Sequence, residues 1–446
     1  MAQKRFQAPR GTRDLLPEDL VLIRHLERTA HRLAASYHYL EIRPPLFEET
    51  RLFQRSLGES SDVVEKEMFT VPRRGRSQDP GEAFTFRPEG TAGVARAYVE
   101  GGFAARAPLQ KWYYLGPMFR YERPQKGRER QFSQFGVEVF GAAGAAMDAE
   151  VILLCLRFFQ ALGFGEQLEV RLNTMGDPED RDRWREALKA YFEPLLDGRC
   201  ADCRERFQRN VFRLLDCKVA ACQEAIAAAP KLRPLLGAES GRHFEEVLAG
   251  LQALGAKVVE DPGIVRGLDY YTRTVFEVHY PPLGARSALC GGGRYDGLVA
   301  EMGGPPTPGV GFAIGLTPTE LALKELDLPP KADLADLKDA LKPQIYCVAL
   351  GEEDRAETLA LTTELRDAGL TGIELDARGK SFKAQLKEAG KRGVHWACLL
   401  GSEERASSTV VVKDMQEGGQ EAVPRAEISA WFFQRQAAAS TGAALP

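Results

Sequence analysis

Residues Phe119 to Glu138 read FRYERPQKGRERQFSQFGVE, and the way this stretch folds decides how the rest of the chain is arranged. Its flanks, YYLGPMF and QFGVEVFG, are rich in aromatic and β-branched residues, and PQKG between them supplies turn chemistry. The pattern predicts a two-stranded hairpin with a strongly basic tip. Side chains alternate faces along a strand, which points Arg120 and Glu122 the same way on the first strand. On the second, Phe132, Gln134, Gly136 and Glu138 share a face, with Gly136 leaving an open space between the two polar groups. A sheet face in contact with water carries the same alternation, so other segments must choose between a site and a solvated surface.

Length and composition narrow the choice. The 446 residues suffice for two or three domains, each with its own core. A hydrophobic content of 44% and a charged content of 27% are ordinary for a soluble globular protein. No apolar run approaches the roughly 20 residues of a membrane span. The opening MAQKRFQAPRGTRD lacks the apolar core of a signal peptide, so a cytosolic location is expected. With a net charge of −4, any nucleic-acid contact must come from local basic patches. Disulfides are not expected in such a protein. Four of the eight cysteines cluster as Cys200-x2-Cys203 and Cys217-x4-Cys222. This set resembles structural zinc ligands, though its second pair is loosely spaced; reduced, half-buried thiols in a helical subdomain are the competing reading.

Along the chain, residues 17–36 form an amphipathic helix opened by Pro17 and acidic residues. LEIRPPLFE follows as an edge or interface strand containing Pro44 and Pro45. FTFRPEGTAGVARAYVE (84–100) runs from strand through turn to helix. After the hairpin come a helix across 147–162, the strand LEVRLNT and a mostly helical block at about 177–255. Strand and glycine signals return in IVRGLDYYTRTVFEV and LCGGGRYDGL, which makes the helical block an insertion into a sheet domain spanning residues 1–325. Residues 326–342 read as a charged, proline-bounded linker. Residues 343–435 alternate strands and helices, as in a small α/β domain, and 436–446 read as a disordered tail.

Three further segments carry site chemistry. Arg87-Pro88-Glu89-Gly90-Thr91 places a carboxylate and a hydroxyl at a strand-to-helix turn, where they suit an ammonium group or simply cap the helix. Arg266-Gly267-Leu268-Asp269-Tyr270-Tyr271 sets a guanidinium and two phenols beside a glycine, and a guanidinium fork fits carboxylate or phosphate. Gly291-Gly292-Gly293-Arg294 would admit a flat or phosphate-bearing ligand close to the backbone, although most such runs are turns.

Taken in order, these segments resemble the histidyl-tRNA synthetases, a family of class II aminoacyl-tRNA synthetases. The resemblance starts at Arg10-Gly11-Thr12-Arg13-Asp14 and continues through EIRPPLFEET, FRPEGTAG, the hairpin, RGLDYYTRTVFE and GGGRYDGL to the last domain. It implies an α+β fold: a class II antiparallel-sheet catalytic domain with a helical insertion, followed by a C-terminal α/β anticodon-binding domain. Pro45 would lie at a homodimer interface. Glu89 and Thr91 would hold the α-amino group of histidine, and Gln134, Glu138, Tyr270 and Tyr271 would line the imidazole pocket. Arg120, Glu122 and Arg266 would meet ATP with its Mg2+, Arg120 gripping the α-phosphate and Arg266 stabilising the charge that develops as the histidine carboxylate attacks. Arg123, Gln125, Lys126, Arg128 and Arg130 would face the acceptor end of tRNA(His). The helical insertion would clasp the acceptor stem, and the last domain would read the anticodon.

The family's third motif departs here. It ends Gly-(Leu/Val)-Glu-Arg, with the arginine on the γ-phosphate of ATP, whereas Gly315-Leu316-Thr317-Pro318 places Pro318 at the arginine position. Thr317 as N-cap, Pro318 at the first helical position and Glu320 three residues beyond the cap would form a capping box, and the helix N-terminus would still favour anions. One lost charge-assisted phosphate contact is worth about 1.5–3 kcal/mol. Ser133 also stands where relatives often carry His. The alternative to an active enzyme is a non-catalytic paralogue that binds histidine or tRNA, such as the synthetase-like regulatory subunit of ATP phosphoribosyltransferase. That subunit generally lacks the last domain present here.

Overall fold

The computed structural model describes the chain apart from residues 1–5, 59–62, 73–82, 124–126, 216, 265–269, 330 and 442–446. Arg266, Gln125 and Lys126 therefore lie outside the described residues. The chain divides into two compact units, Met1–Lys331 and Ala332–Pro446.

The first unit is built on an eight-stranded sheet. Its strands are β1 (Leu40–Glu41), β5 (Gln110–Phe119), β6 (Gln131–Phe140), β7 (Glu169–Thr174), β8 (Val258–Glu260), β9 (Thr272–His279), β10 (Ala288–Arg294) and β11 (Gly309–Gly315). They lie in the order β1-β5-β6-β11-β10-β9-β7-β8, with every neighbouring pair antiparallel except β1–β5 and β7–β8. A smaller sheet joins β2 (Phe47–Glu49), β3 (Phe69–Val71) and β4 (Phe84–Phe86) around β4. The stretch LEIRPPLFE is thus two short strands, because Pro44 and Pro45 can donate nothing to a ladder.

The alternation along β6 sorts the two faces. Phe135 packs edge-on to Phe312 and meets Phe158 of the helix Ala145–Ala161 at 5.3 Å between ring centroids. That helix packs on the sheet and against the helices Pro17–Ser36 and Ala238–Ala253, the second of which also touches the sheet. Arg294 on β10 is fully buried and bonded to Asp148 of the same helix, so it belongs to the structural layer rather than to a ligand. Gln134 and Glu138 face the other way and are also buried, which excludes a solvated sheet face. The triple glycine run is strand rather than turn.

Residues 178–253 supply the helices Pro178–Phe192, Ala201–Arg209, Ala220–Ala227 and Ala238–Ala253. In the second unit β12 (Ile345–Ala349), β13 (Ile373–Leu375), β14 (Trp396–Leu400), β15 (Thr409–Asp414) and β16 (Gln420–Pro424) form a sheet in the order β13-β12-β14-β15-β16. The helices Arg355–Asp367 and Phe382–Arg392 alternate with its first strands. β16 was not foreseen, because QEAVP carries a terminal proline and little apolar alternation. Short helical turns, Lys331–Leu334 and Ala335–Asp339, occupy the stretch read as linker. The last helix, Ile428–Thr441, runs on into the alanine-rich stretch read as tail, since alanine favours helix whatever the packing.

Candidate active site

Three strands and one helix start converge on a buried acid. Glu138 on β6 stands opposite Trp112 on β5 and Gly311 on β11. A Cβ at Gly311 would come within 2.2 Å of the Glu138 carboxylate, so glycine there creates the room it occupies. Thr91, at the start of the helix Thr91–Glu100, donates its hydroxyl to Glu138 Oε1 at 2.6 Å, and the Tyr295 hydroxyl donates to Oε2. Burial pushes the Glu138 carboxyl up to about 8, with both hydrogen bonds acting in the opposite direction.

Four residues earlier on the same face, Gln134 is buried with its Oε1 lacking a partner. A buried acceptor left empty costs about 1–3 kcal/mol, which a donor on a bound molecule recovers. The space beside Gly136, between these two groups, is not open. It holds the ring of Tyr114, which would stand 2.3 Å from a Cβ at Gly136 and 2.2 Å from one at Gly90. Tyr270 and Tyr271 are buried with ring centroids 4.7 Å apart, and Tyr270 meets the Tyr295 ring at 5.7 Å. Tyr271 lies where a side chain on Gly293 would be, which gives that glycine its role.

Glu89 caps the helix Thr91–Glu100. Its two oxygens accept the backbone N–H groups of Thr91 at 2.6 Å and Ala92 at 2.9 Å. Burial raises its pKa, and these bonds oppose the shift. A carboxylate has about four lone-pair directions, so two remain for a further donor. Arg87 is a structural residue that donates to Pro117 O and Pro44 O.

Beyond β5 the hairpin opens into a loop. Strand pairing stops at Phe119–Gln131, so Arg120 and Glu122 lie past the strand end and do not share its face by alternation. They nevertheless lie together, 3.9 Å apart. The loop is held from outside, by Tyr121 N to Glu67 O and Arg130 N to Gly11 O, each at 2.7 Å. Arg120 Nε donates to Pro88 O at 2.8 Å, and its guanidinium stands 5.5 Å from the Phe132 ring centre. This fixes the side chain near Glu89, whose charge it offsets. Glu122 also holds Arg128 at 3.2 Å. Arg123 is exposed. Arg130 is turned inward, donating to Glu122 O and Arg10 O and lying over Tyr121.

The helix after β11 begins at Leu316, with Gly315 at the N-cap, earlier than the capping-box pattern implied. Thr317 makes no cap. Thr319 donates to Gly315 O at 2.7 Å, and Glu320 is buried between Arg13 at 2.5 Å and Lys324 at 2.6 Å. Pro318 is exposed in the first turn and lines a cavity of about 520 Å3 together with Gly127, Arg128 and Arg286. Ser133 borders a smaller cavity on the other side of that helix.

Tyr114 and Tyr295 were not singled out from the sequence. In the register the two strands adopt, Tyr114 stands opposite Gly136, and that register is not written in YYLGPMF and QFGVEVFG alone.

A mostly antiparallel sheet that carries a hairpin loop beside a polar pocket is the architecture of class II aminoacyl-tRNA synthetase catalytic domains. Residues 11–318 match the family described as Histidyl-tRNA synthetase, and residues 344–435 match the anticodon binding domain. A histidine--tRNA ligase from Fervidobacterium nodosum is 45% identical over 93% of this chain and 95% of its own length. One from Synechococcus is 44% identical over 97% and 99%, respectively. The crystal structure of the apo histidyl-tRNA synthetase of S. aureus superimposes with a TM-score of 0.79 at 34% identity, covering 96% of this chain and all of that one. The chain belongs to the histidyl-tRNA synthetase family.

Proposed function

We propose that this chain activates L-histidine with ATP and transfers it to the 3′ end of tRNA(His). The observation that carries this reading is the buried Glu138 carboxyl, fixed by Thr91 and Tyr295, with the unpaired Gln134 oxygen on the same strand face. Imidazole offers one ring N–H to a carboxylate, and the histidine ammonium offers three donors. A side chain of similar size that cannot donate leaves the Gln134 oxygen unpaired and adds nothing to the Thr91 and Tyr295 bonds on Glu138, which is the strong form of discrimination. Glu89 and Thr91 take the ammonium, and Tyr270 and Tyr271 close the ring pocket.

Histidine's carboxylate oxygen attacks the α-phosphorus of ATP, the bond to the β-phosphate oxygen breaks, and pyrophosphate leaves. Arg120 binds the α-phosphate; its Nε is already anchored on Pro88 O, so its terminal nitrogens reach the phosphate with little ordering cost. Arg266 completes the charge stabilisation, and Glu122 steadies Arg120 beside the nucleotide. Mg2+ enters on the phosphates as part of the substrate. The tRNA's terminal ribose hydroxyl then attacks the histidyl carbonyl, and AMP leaves. Arg123, Gln125, Lys126 and Arg128 attract the acceptor end, and the second unit reads the anticodon as single-stranded bases.

The chain works as a cytoplasmic homodimer. Leu40, Leu46 and Phe47, all exposed around exposed Pro45, supply the apolar strip such an interface needs. No helix among the described residues is long and apolar enough to cross a membrane. Histidine-dependent ATP–pyrophosphate exchange tests the reading. Exchange is expected at millimolar ATP, and its absence would leave only the binding-protein alternative.

A further inference from the structure

Four thiols far from the histidine pocket in sequence are gathered in the helical block. The Sγ atoms of Cys200, Cys203, Cys217 and Cys222 all lie within 4.8 Å of one another, and Cys200 and Cys217 are 3.8 Å apart. Cys203, Cys217 and Cys222 are buried, while Cys200 sits at the rim. We propose that these four sulfurs form a tetrahedral zinc site that ties the block together.

The geometry fits one ion. A zinc–sulfur bond of about 2.3 Å places the corners of a regular tetrahedron about 3.8 Å apart, so the four sulfurs need to close only slightly. A polynuclear iron–sulfur cluster would hold its thiolates farther apart than this group stands. A disulfide between Cys200 and Cys217 would strand the other two thiols, both of them buried.

The local backbone also suits thiolate ligands. Cys200 is the N-cap of the helix Ala201–Arg209, and Cys203 lies in its first turn. Cys222 lies in the first turn of Ala220–Ala227. Both helix N-termini favour negative charge. Two backbone N–H groups already point at sulfur, Cys200 N to Cys222 Sγ at 3.5 Å and Val219 N to Cys217 Sγ at 3.4 Å. Four thiolates around one Zn2+ leave two net negative charges, and Arg199, Arg204 and Lys218 flank the ligands in sequence.

The metal's work would be mechanical. The two cysteine pairs bracket the turn Val211–Leu214, whose Val211, Phe212 and Leu214 are buried with Trp184, Leu188 and Phe192. A metal linking the pairs fixes how the two short helices stand over that small core, and a structural site of this kind adds folding free energy directly.

The test uses the full chain, purified under reducing conditions. Elemental analysis is expected to give about one zinc per chain, released on titration with a thiol-binding mercurial. Cells grown with cobalt should yield protein with the thiolate charge-transfer and visible bands of tetrahedral Co2+. A Cys203→Ser, Cys222→Ser variant should lose zinc and the cobalt bands to background. Wild-type protein that carries no zinc and takes up neither zinc nor cobalt would overturn the proposal in favour of reduced thiols, as would iron in place of zinc or a variant that keeps its metal. If the variant does not fold, the wild-type count and cobalt spectrum decide alone.

Discussion

The two ends of one hairpin obey different physics. At the β6 end, Gln134 and Glu138 are locked by strand register between β5 and β11, shut away from water, and surrounded by rings and glycines that leave no slack. At the other end, Arg120 to Arg123 and Gly127 to Arg130 are pinned by a few hydrogen bonds, with Arg123 and Arg128 exposed to solvent. A change of one atom should therefore be felt strongly at the first end, where low dielectric and close packing amplify it. At the second, water and salt screen it.

The largest effect is expected at Glu138. Glu138→Gln keeps the shape, yet it puts a group that cannot ionise where the bound imidazole would meet a carboxylate, and kcat/KM for histidine in pyrophosphate exchange should fall by about 10^3-fold or more. The same variant should be more stable than the wild type. In the folded chain this carboxyl keeps its proton up to about pH 8, against an ordinary value of 4.5. Between those pH values the unfolded chain has released a proton that the folded chain retains, so the site loses stability as pH rises through that window, at roughly 1.4 kcal/mol per unit. The melting-temperature gap between Glu138→Gln and wild type should widen from pH 5 to pH 8; a constant gap would show that burial does not hold the proton there. Ligand-free wild type should also release protons when it takes up histidine at pH 7, readable as a buffer-dependent binding enthalpy. The variant should release fewer.

At the junction of the two ends stands Arg120. Arg120→Ala should cost about 10^2–10^3 in kcat, the usual loss for one preorganised donor at a developing charge, with little change in melting temperature. A loss confined to KM for ATP would move Arg120 from transition-state stabilisation to plain binding. Pro318 should give a smaller effect of opposite sign. Pro318→Arg restores a guanidinium to an exposed first-turn position on a cavity already lined by Arg128 and Arg286, and the KM for ATP should drop about tenfold. An unchanged or higher value would mean that Pro318 does not face the γ-phosphate.

The contrast also explains what the sequence disclosed. Alternation along QFSQFGVE located Gln134 and Glu138 on one face, because strand periodicity is independent of what the strand packs against. It did not disclose that Gly136 serves Tyr114, since an absent side chain reads the same whether it makes room for a ligand or for a neighbouring ring. Thr317-Pro318-x-Glu320 spelled a capping box, but Glu320 is drawn to Arg13, more than three hundred residues away in sequence, and such a pair has no local signature. Arg123, Arg128 and Arg130 looked alike as a basic run. Only backbone carbonyls supplied by the fold, those of Arg10 and Glu122, separate Arg130 from the others.

That separation yields the smallest effects and the sharpest test of the comparison. Arg123→Ala should leave pyrophosphate exchange unchanged while raising the KM for tRNA a few-fold, and it should flatten the salt dependence of that KM by about one counterion. Arg128→Ala should weaken tRNA in the same way, but it also frees Glu122, which Arg128 holds at 3.2 Å, to draw on Arg120. A surface pair of this kind is worth about 0–1 kcal/mol, so the KM for ATP should rise no more than about fivefold. If Arg123→Ala disturbed ATP use as much as Arg128→Ala does, the loop would be acting as one electrostatic patch. The division between a nucleotide side tied through Glu122 and a free tRNA side would then be wrong.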